Sequence, residues 1–138
     1  MSESLSPLRA FALRLAPGDD PRQALEAAVR DRGMRAACVI SAVGSLATAK
    51  VRLADDTAPS GFEGPFEVVA LSGTLSPDGA HLHVALADSN GIVIGGHLGI
   101  GSAVHTTLEI VVAELEGLAF SRERDPRTGY KELVIRRI

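Results

Sequence analysis

Three histidines, His81, His83 and His97, have a type and spacing that could hold a metal ion. Side chains on a strand alternate between its faces, so residues two apart project from the same face with Cα atoms about 6.5–7 Å apart. His81 and His83 can therefore converge on one ion. Three neutral imidazoles leave a fourth coordination position open, which is typical of catalytic zinc and also suits other divalent first-row metals.

The third ligand depends on the turn between His83 and His97. Residues 88–92 read Asp-Ser-Asn-Gly-Ile, which suits a three-residue hairpin loop closed by a left-handed glycine. If Asp88 pairs with Ile92, counting back along both strands places His97 directly opposite His83 on the same face. A two-residue turn would instead place His97 opposite Val84, and only a bulge at Gly95 and Gly96 would then restore the site.

Glycines near the histidines predict a pocket whose wall is formed by main chain. A three-residue loop at 77–79 would set Gly73 opposite His83, where the missing side chain leaves room for the imidazole. Glycine also permits close backbone approach around His97. The candidate cofactor-binding positions are Gly73, Gly95 and Gly96.

Two carboxylates are candidates for a catalytic role. Glu109 lies on a predicted strand with His105, and Glu67 shares the predicted strand face of Gly73. Either carboxylate could orient a metal ligand or act as a general acid or base, and the alternative is that both are solvated or paired. His105 could support a ligand or lie at a subunit interface.

Hydrophobic periodicity predicts one helix and about eight strands. Residues 9–15 alternate as a half-buried strand, and a helix begins at Pro21 behind an Asp20 cap and ends at Gly33. Further strands are predicted at residues 36–43, 46–53, 66–75, 81–88, 104–115, 118–121 and 132–138, with a loop at 54–65. The pattern indicates an α+β fold: a tail at residues 1–8, then a single domain at 9–138 built on a largely antiparallel sheet.

Composition restricts the possible functions. The net charge of −3, with no Trp and one Tyr, argues against a domain that binds nucleic acid by neutralising phosphates or stacking bases. Residues 118–138 carry a basic excess, but acidic residues interrupt it. No apolar run approaches the roughly 18 residues of a membrane span, and the single cysteine suits a reducing compartment. We expect a cytoplasmic protein with no membrane partner.

Five segments carry a resemblance to a known family. They are residues 42–46, 66–73, 81–84, 95–98 and 106–109. In this order they resemble the signature blocks of the PPC (plants and prokaryotes conserved) domain, specifically its bacterial stand-alone branch. The resemblance covers about residues 9–116 and implies a compact α+β subunit that assembles as a homotrimer.

The resemblance also bears on metal and DNA binding. Bacterial and archaeal members that keep the histidines look like metal binders, which supports His81, His83 and His97 as ligands. Plant members couple the domain to AT-hook motifs that supply DNA binding, whereas this chain has no Arg-Gly-Arg-Pro core. The ligand pattern is also similar to that of acetolactate decarboxylase, a zinc enzyme with a His-x-His pair and a later histidine.

These observations favour one function and leave alternatives open. The leading hypothesis is a homotrimer that binds a divalent metal, zinc, through three histidines in a pocket for a small anionic metabolite, as a sensor or an enzyme. The alternatives are a DNA-binding, transcription-associated regulator, a metal-dependent lyase related to acetolactate decarboxylase, and a purely structural oligomerisation module.

Overall fold

The computed structural model describes all residues, 1–138, and contains eight strands and one helix. The elements are β1 (Leu8–Leu15), α1 (Pro21–Arg32), β2 (Ala37–Arg52), β3 (Ser60–Ser76), β4 (Gly79–Ala87), β5 (Val93–Leu98), β6 (Ala103–Leu115), β7 (Leu118–Arg124) and β8 (Lys131–Arg137). The predicted single-domain α+β fold with one helix is confirmed. No helix is long and apolar enough to cross a bilayer.

Six strands form one antiparallel sheet in the order β1-β6-β2-β3-β4-β5. Strand β2 is 16 residues long, so its C-terminal end reaches the far edge of the sheet. There Val51 pairs with Leu98 and Arg52 pairs with His97. Strands β2 to β5 therefore close into a small barrel, and this closure brings β5 beside β2 as well as β4.

Alternation along β4 decides which side of the barrel the histidines occupy. Leu82, Val84 and Leu86 are buried in the main hydrophobic core. The intervening His81 and His83 are exposed, because successive side chains of a strand point to opposite faces. The core residues thus fix the two histidines on the outer face of the barrel.

Helix α1 covers one end of the core and begins and ends as predicted. The Asp20 carboxylate accepts hydrogen bonds from two backbone N–H groups of the first turn, at 3.0 and 3.2 Å, and Gly33 ends the helix in the left-handed conformation. Leu25 and Val29 are buried in the main core. Asp20 also accepts a hydrogen bond from the Gly101 N–H at 2.7 Å, which ties the helix start to the loop after β5.

Strands β7 and β8 form a separate ribbon, as predicted. Leu118 and Phe120 anchor its base by packing with Ala36 in a second small core. Nearer its tip, the backbone N–H of Arg122 donates a hydrogen bond to the Asp78 carboxylate at 2.8 Å. The ribbon is therefore fastened to the β3–β4 turn, next to the first histidine of β4.

Two predicted strand boundaries are wrong. The strands predicted at 36–43 and 46–53 are one continuous strand, β2 (Ala37–Arg52), because Gly44 allows a close approach of β6 instead of ending the strand. A Cβ at Gly44 would collide with the Thr107 carbonyl oxygen. Strand β3 begins at Ser60, inside the predicted loop, because its first residues pair with the end of β2.

The predicted β3–β4 register is also wrong. The loop has two residues instead of three, since Ser76 pairs with Gly79, whose φ of +117° favours glycine. Ser72, and not Gly73, therefore lies opposite His83. This shift leaves the face of His83 unchanged but alters its neighbour on β3.

Candidate metal centre

The imidazoles of His81, His83 and His97 lie together on the outer face of the barrel. Ring centroids are 5.1 Å apart for His81 and His83, 5.2 Å for His81 and His97, and 4.5 Å for His83 and His97. The candidate ligand nitrogens of the three rings all lie within 4.8 Å of one another. This convergence is the chemical feature that the sequence predicted.

The β4–β5 turn produces the convergence. The Asp88 N–H donates to the Ile92 carbonyl oxygen at 2.9 Å, so the loop has the predicted three residues. His83 then pairs directly with His97, whereas Val84 pairs with the preceding glycine of β5. The predicted register is confirmed, and the alternative two-residue turn is excluded.

The three histidines fit a divalent ion by donor type and spacing. Zinc–nitrogen bonds of 2.0–2.1 Å in a tetrahedral site place ligand nitrogens about 3.3 Å apart. The nitrogens are within 4.8 Å of one another, and His81 and His83 are exposed, so modest side-chain rotation can bring them onto an ion. These three residues would hold a zinc ion with a coordination position left for an outside ligand.

Partial desolvation and nearby arginines favour the neutral, metal-binding form of His81 and His97. Desolvation by burial lowers the pKa of His81, and the positive charge of Arg122 lowers it further. Burial followed by the charge of Arg52 lowers the pKa of His97 in the same way. Metal ligation requires deprotonated imidazole, so these environments favour ligation at neutral pH.

A cleft of about 920 Å³ opens beside two of the three histidines. His81 and His97 line it, together with the loop after β2 and the tip of the β7–β8 ribbon. Its charged lining residues are Arg22, Arg52, Arg122, Lys131, Asp55, Asp56, Asp78 and Glu132. This volume suits a small molecule, since ligand pockets typically enclose about 300–1,000 Å³.

The three predicted glycines pack strands together and do not line the cleft. A Cβ at Gly73 would collide with the carbonyl oxygen of His81. A Cβ at Gly96 would lie 2.5 Å from the carbonyl oxygen of Arg52, and Gly95 is similarly crowded by β4. Gly73, Gly95 and Gly96 thus allow the close strand spacing that positions the histidines.

The structure does not bring Glu67 or Glu109 to the histidines. Glu67 pairs with Ala87, four positions along β4 from His83, which corresponds to about 13 Å. Glu109 and His105 lie on β6, which β2 and β3 separate from β4 by about 14 Å in total. None of these three residues lines the cleft.

The residues that do surround the histidines are ones that the sequence patterns did not single out. Arg52, Arg122 and Glu132 come from β2, β7 and β8, and only the barrel closure and the docked ribbon bring them to the site. A basic excess in residues 118–138 was the one available signal. Alternation within that segment did not indicate which side chain would face the histidines.

The chain is similar to one known domain family and to proteins that contain this domain. A sequence model of the Plants and Prokaryotes Conserved (PCC) domain matches residues 2–116. The chain is 49% identical over 131 residues to the bifunctional protein GlmU of Synechococcus sp. (strain JA-3-3Ab), covering 95% of this chain and 21% of that protein. It is 33% identical over 136 residues to AT-hook motif nuclear-localized protein 20 of Arabidopsis thaliana, covering 89% of this chain and 47% of that one. The chain thus spans about a fifth to a half of these relatives.

Two solved structures are similar over nearly their whole length. A hypothetical protein from Salmonella cholerae-suis superposes with a TM-score of 0.95 at 41% identity, covering 99% of both chains. A protein from Archaeoglobus fulgidus that is described as metal-containing superposes with a TM-score of 0.82 at 31% identity, covering 97% of this chain and 99% of that one.

Proposed function

Because this chain belongs to the Plants and Prokaryotes Conserved domain family, we propose that it is a homotrimeric protein that holds a divalent metal ion, zinc, on His81, His83 and His97. The observation that carries the proposal is the approach of three candidate ligand nitrogens, one from each imidazole, to within 4.8 Å of one another. The description of the similar Archaeoglobus fulgidus protein as metal-containing supports it.

The metal would serve a small anionic metabolite that enters the cleft. A bound divalent ion supplies a Lewis acid for an anionic or carbonyl oxygen at its open position. Three arginines of this chain lie near that position. Arg22 donates a hydrogen bond to the Leu98 carbonyl oxygen at 3.2 Å, and Arg52 and Arg122 lie beside the histidines. The arrangement serves equally for sensing a ligand and for transforming it.

The test is metal content in a matched pair of variants. Purified wild-type protein and His105→Ala should each hold about one zinc ion per chain, measured by atomic absorption after dialysis against metal-free buffer. His83→Ala should lose most of its zinc, because two remaining imidazoles make a much weaker site. Equal zinc in His83→Ala and wild type would reject the site.

The exposed apolar face of the sheet supports the homotrimer. Ile40, Val43 and Val69 are 53%, 58% and 55% exposed, although all three belong to the central strands β2 and β3. Clustered exposed apolar residues are typical of subunit interfaces. Family resemblance supplies the expectation of three subunits.

DNA binding is a second candidate because the similar Arabidopsis protein is named for an AT-hook motif and nuclear localisation. The basic ribbon is partly neutralised within itself: Arg127 pairs with Asp125 at 2.6 Å and Arg136 pairs with Glu123 at 2.6 Å. DNA binding by phosphate contacts would weaken steeply with salt. Absence of any anisotropy change with fluorescent duplex DNA at low salt would remove this candidate.

A metal-dependent lyase, similar in ligand pattern to acetolactate decarboxylase, is a catalytic version of the proposal. Glu132 lines the cleft near His81, so this carboxylate could transfer a proton, whereas Glu67 and Glu109 are remote from the histidines. Zinc-dependent CO2 release from a panel of 3-oxo acids, lost in His83→Ala, would support it. The absence of release from every member would count against it.

A cytoplasmic location stays a prediction.

A further inference from the structure

We propose that Arg52 and Arg122 form a clamp for an oxyanion, a carboxylate or phosphate group, of the ligand that occupies the metal's open position, and that the β7–β8 ribbon sets which ligand fits. This inference rests on the proposed metal site and names the chemistry of its ligand. Arg52 belongs to the barrel, and Arg122 belongs to the ribbon.

The arginines stand on opposite sides of the histidines. Arg52 pairs with His97 across the β2–β5 closure. On the other side, Arg122 donates from its guanidinium to the Thr74 hydroxyl at 2.7 Å, and Thr74 pairs with His81. Across the outer face the order is therefore Arg122, the histidines, Arg52.

Both guanidinium groups are free of carboxylate partners. Arg52 donates to the backbone carbonyl oxygen of Asp56 at 3.0 Å, and neither Arg52 nor Arg122 forms an ion pair. Arg22 differs, because Glu26 pairs with it at 3.1 Å. A guanidinium keeps several donors in a planar fork that matches carboxylate and phosphate oxygens, so Arg52 and Arg122 retain donors for a ligand.

The charges of the cleft also favour an anion once the metal is bound. Four basic and four acidic side chains line it, so their formal charges cancel. Two of the acidic groups already accept hydrogen bonds from protein: Asp78 from the Arg122 N–H at 2.8 Å and Glu132 from the Thr128 hydroxyl at 2.9 Å. A divalent ion then leaves an excess of positive charge, which an anionic ligand would balance.

The ribbon forms one side of this site. The family model ends at residue 116, so the barrel with its three histidines lies inside the match, and Arg122, Tyr130 and Lys131 lie outside it. The ribbon is held to the barrel through the Arg122 contacts with Asp78 and Thr74. The part of the chain that the family model matches thus supplies the metal ligands, and the ribbon beyond it supplies one of the two arginines of the clamp.

Cobalt(II) in place of zinc tests the clamp, because its visible spectrum changes when an anion binds the metal. Cobalt-loaded wild type, Arg52→Ala, Arg122→Ala and Arg124→Ala are titrated with inorganic phosphate and, separately, with malonate at constant ionic strength. We expect saturable spectral changes in wild type with at least one anion, and affinity about ten-fold lower in the Arg52 and Arg122 variants. The preferred anion identifies the ligand group as phosphate or carboxylate.

Arg124→Ala is the matched control, since it removes an exposed arginine of the same strand that does not line the cleft. Arg122→Lys, which keeps the charge and loses the fork, separates a binding effect from any loosening of the ribbon and should fall between wild type and Arg122→Ala. Full cobalt content with unchanged anion affinity in the two alanine variants, or no response to either anion, overturns the clamp alone. Failure of wild type to bind cobalt or zinc overturns the metal site and the clamp with it.

Discussion

At the scale of single residues, His81 and His97 combine ordinary ligand chemistry with surroundings that lower their pKa. Burial comes first among the causes that lower the pKa of His81, and Arg122 comes second. Protonation competes with metal ligation for the same nitrogen. In the proposed site the arginines would serve two compatible purposes: they favour neutral imidazoles, and they would offer donors to an anion.

In metal-free protein, the NMR titration midpoint of His81 should lie below the usual histidine pKa of about 6.5, and Arg122→Ala should raise it. Because burial remains, the variant should recover only part of the difference. Since the unfolded chain binds this proton more readily, stability should fall as pH drops from about 6.5 through the folded-state pKa, with no such effect above 6.5. Arg124→Ala should leave the midpoint where it is, and an unchanged midpoint in Arg122→Ala would contradict the assigned cause.

At the scale of elements, glycines let neighbouring strands come close enough to bring the three histidines together. One such position is in β5, where Gly96 lies against the Arg52 carbonyl oxygen at the barrel closure. The adjacent residue is His97. The spacing between β2 and β5 at this point therefore controls the position of His97 as well as the closure of the barrel.

Gly96→Ala should lower the free energy of unfolding by about 1–3 kcal/mol, because the new Cβ would meet rigid backbone. Urea denaturation measures this, and zinc affinity should fall in parallel since His97 must shift. Gly61→Ala is the control: its Cβ would meet only the flexible Lys50 side chain, at 2.9 Å, which can move away. Equal destabilisation by both substitutions would show that the β2–β5 approach has no special role.

At the scale of the whole molecule, one side of the sheet differs from the rest of the surface. The inner face packs on the main core and α1, whereas the outer face of β2 and β3 exposes branched apolar side chains. Exposed valine and isoleucine at the centre of a sheet are better explained by contact with other subunits than by contact with water. The candidate metal site occupies the same outer side, farther along the sheet at β4 and β5.

Val43→Asp should dissociate the proposed homotrimer, because a carboxylate in an apolar interface loses hydration without gaining a partner. Sedimentation velocity should show wild type at three subunits and Val43→Asp predominantly at one. Ile138→Asp is a suitable control, since Ile138 is also 58% exposed but lies at the end of the chain. A monomeric wild type would refute the assembly without affecting the metal site.

The sequence by itself determined the local features of this protein. Alternation on β4 put His81 and His83 on one face. The turn residues 88–92 determined that His97 pairs with His83, because hairpin geometry depends on a few adjacent residues. Where the same reasoning failed, at the β3–β4 turn and the start of β3, turn length and long-range strand pairing decided the result. A glycine or proline marks a break, but it does not give the number of loop residues.

Only the tertiary structure decided what surrounds the histidines. Arg52 reaches His97 because β2 is long enough to close the barrel, and Arg122 reaches His81 because a separate ribbon docks on the β3–β4 turn. Neither neighbour follows from spacing, since each joins residues more than forty positions apart in the sequence. The cleft exists because apolar burial in two cores fixes these segments against each other, and side-chain periodicity within one segment carries no information about that docking.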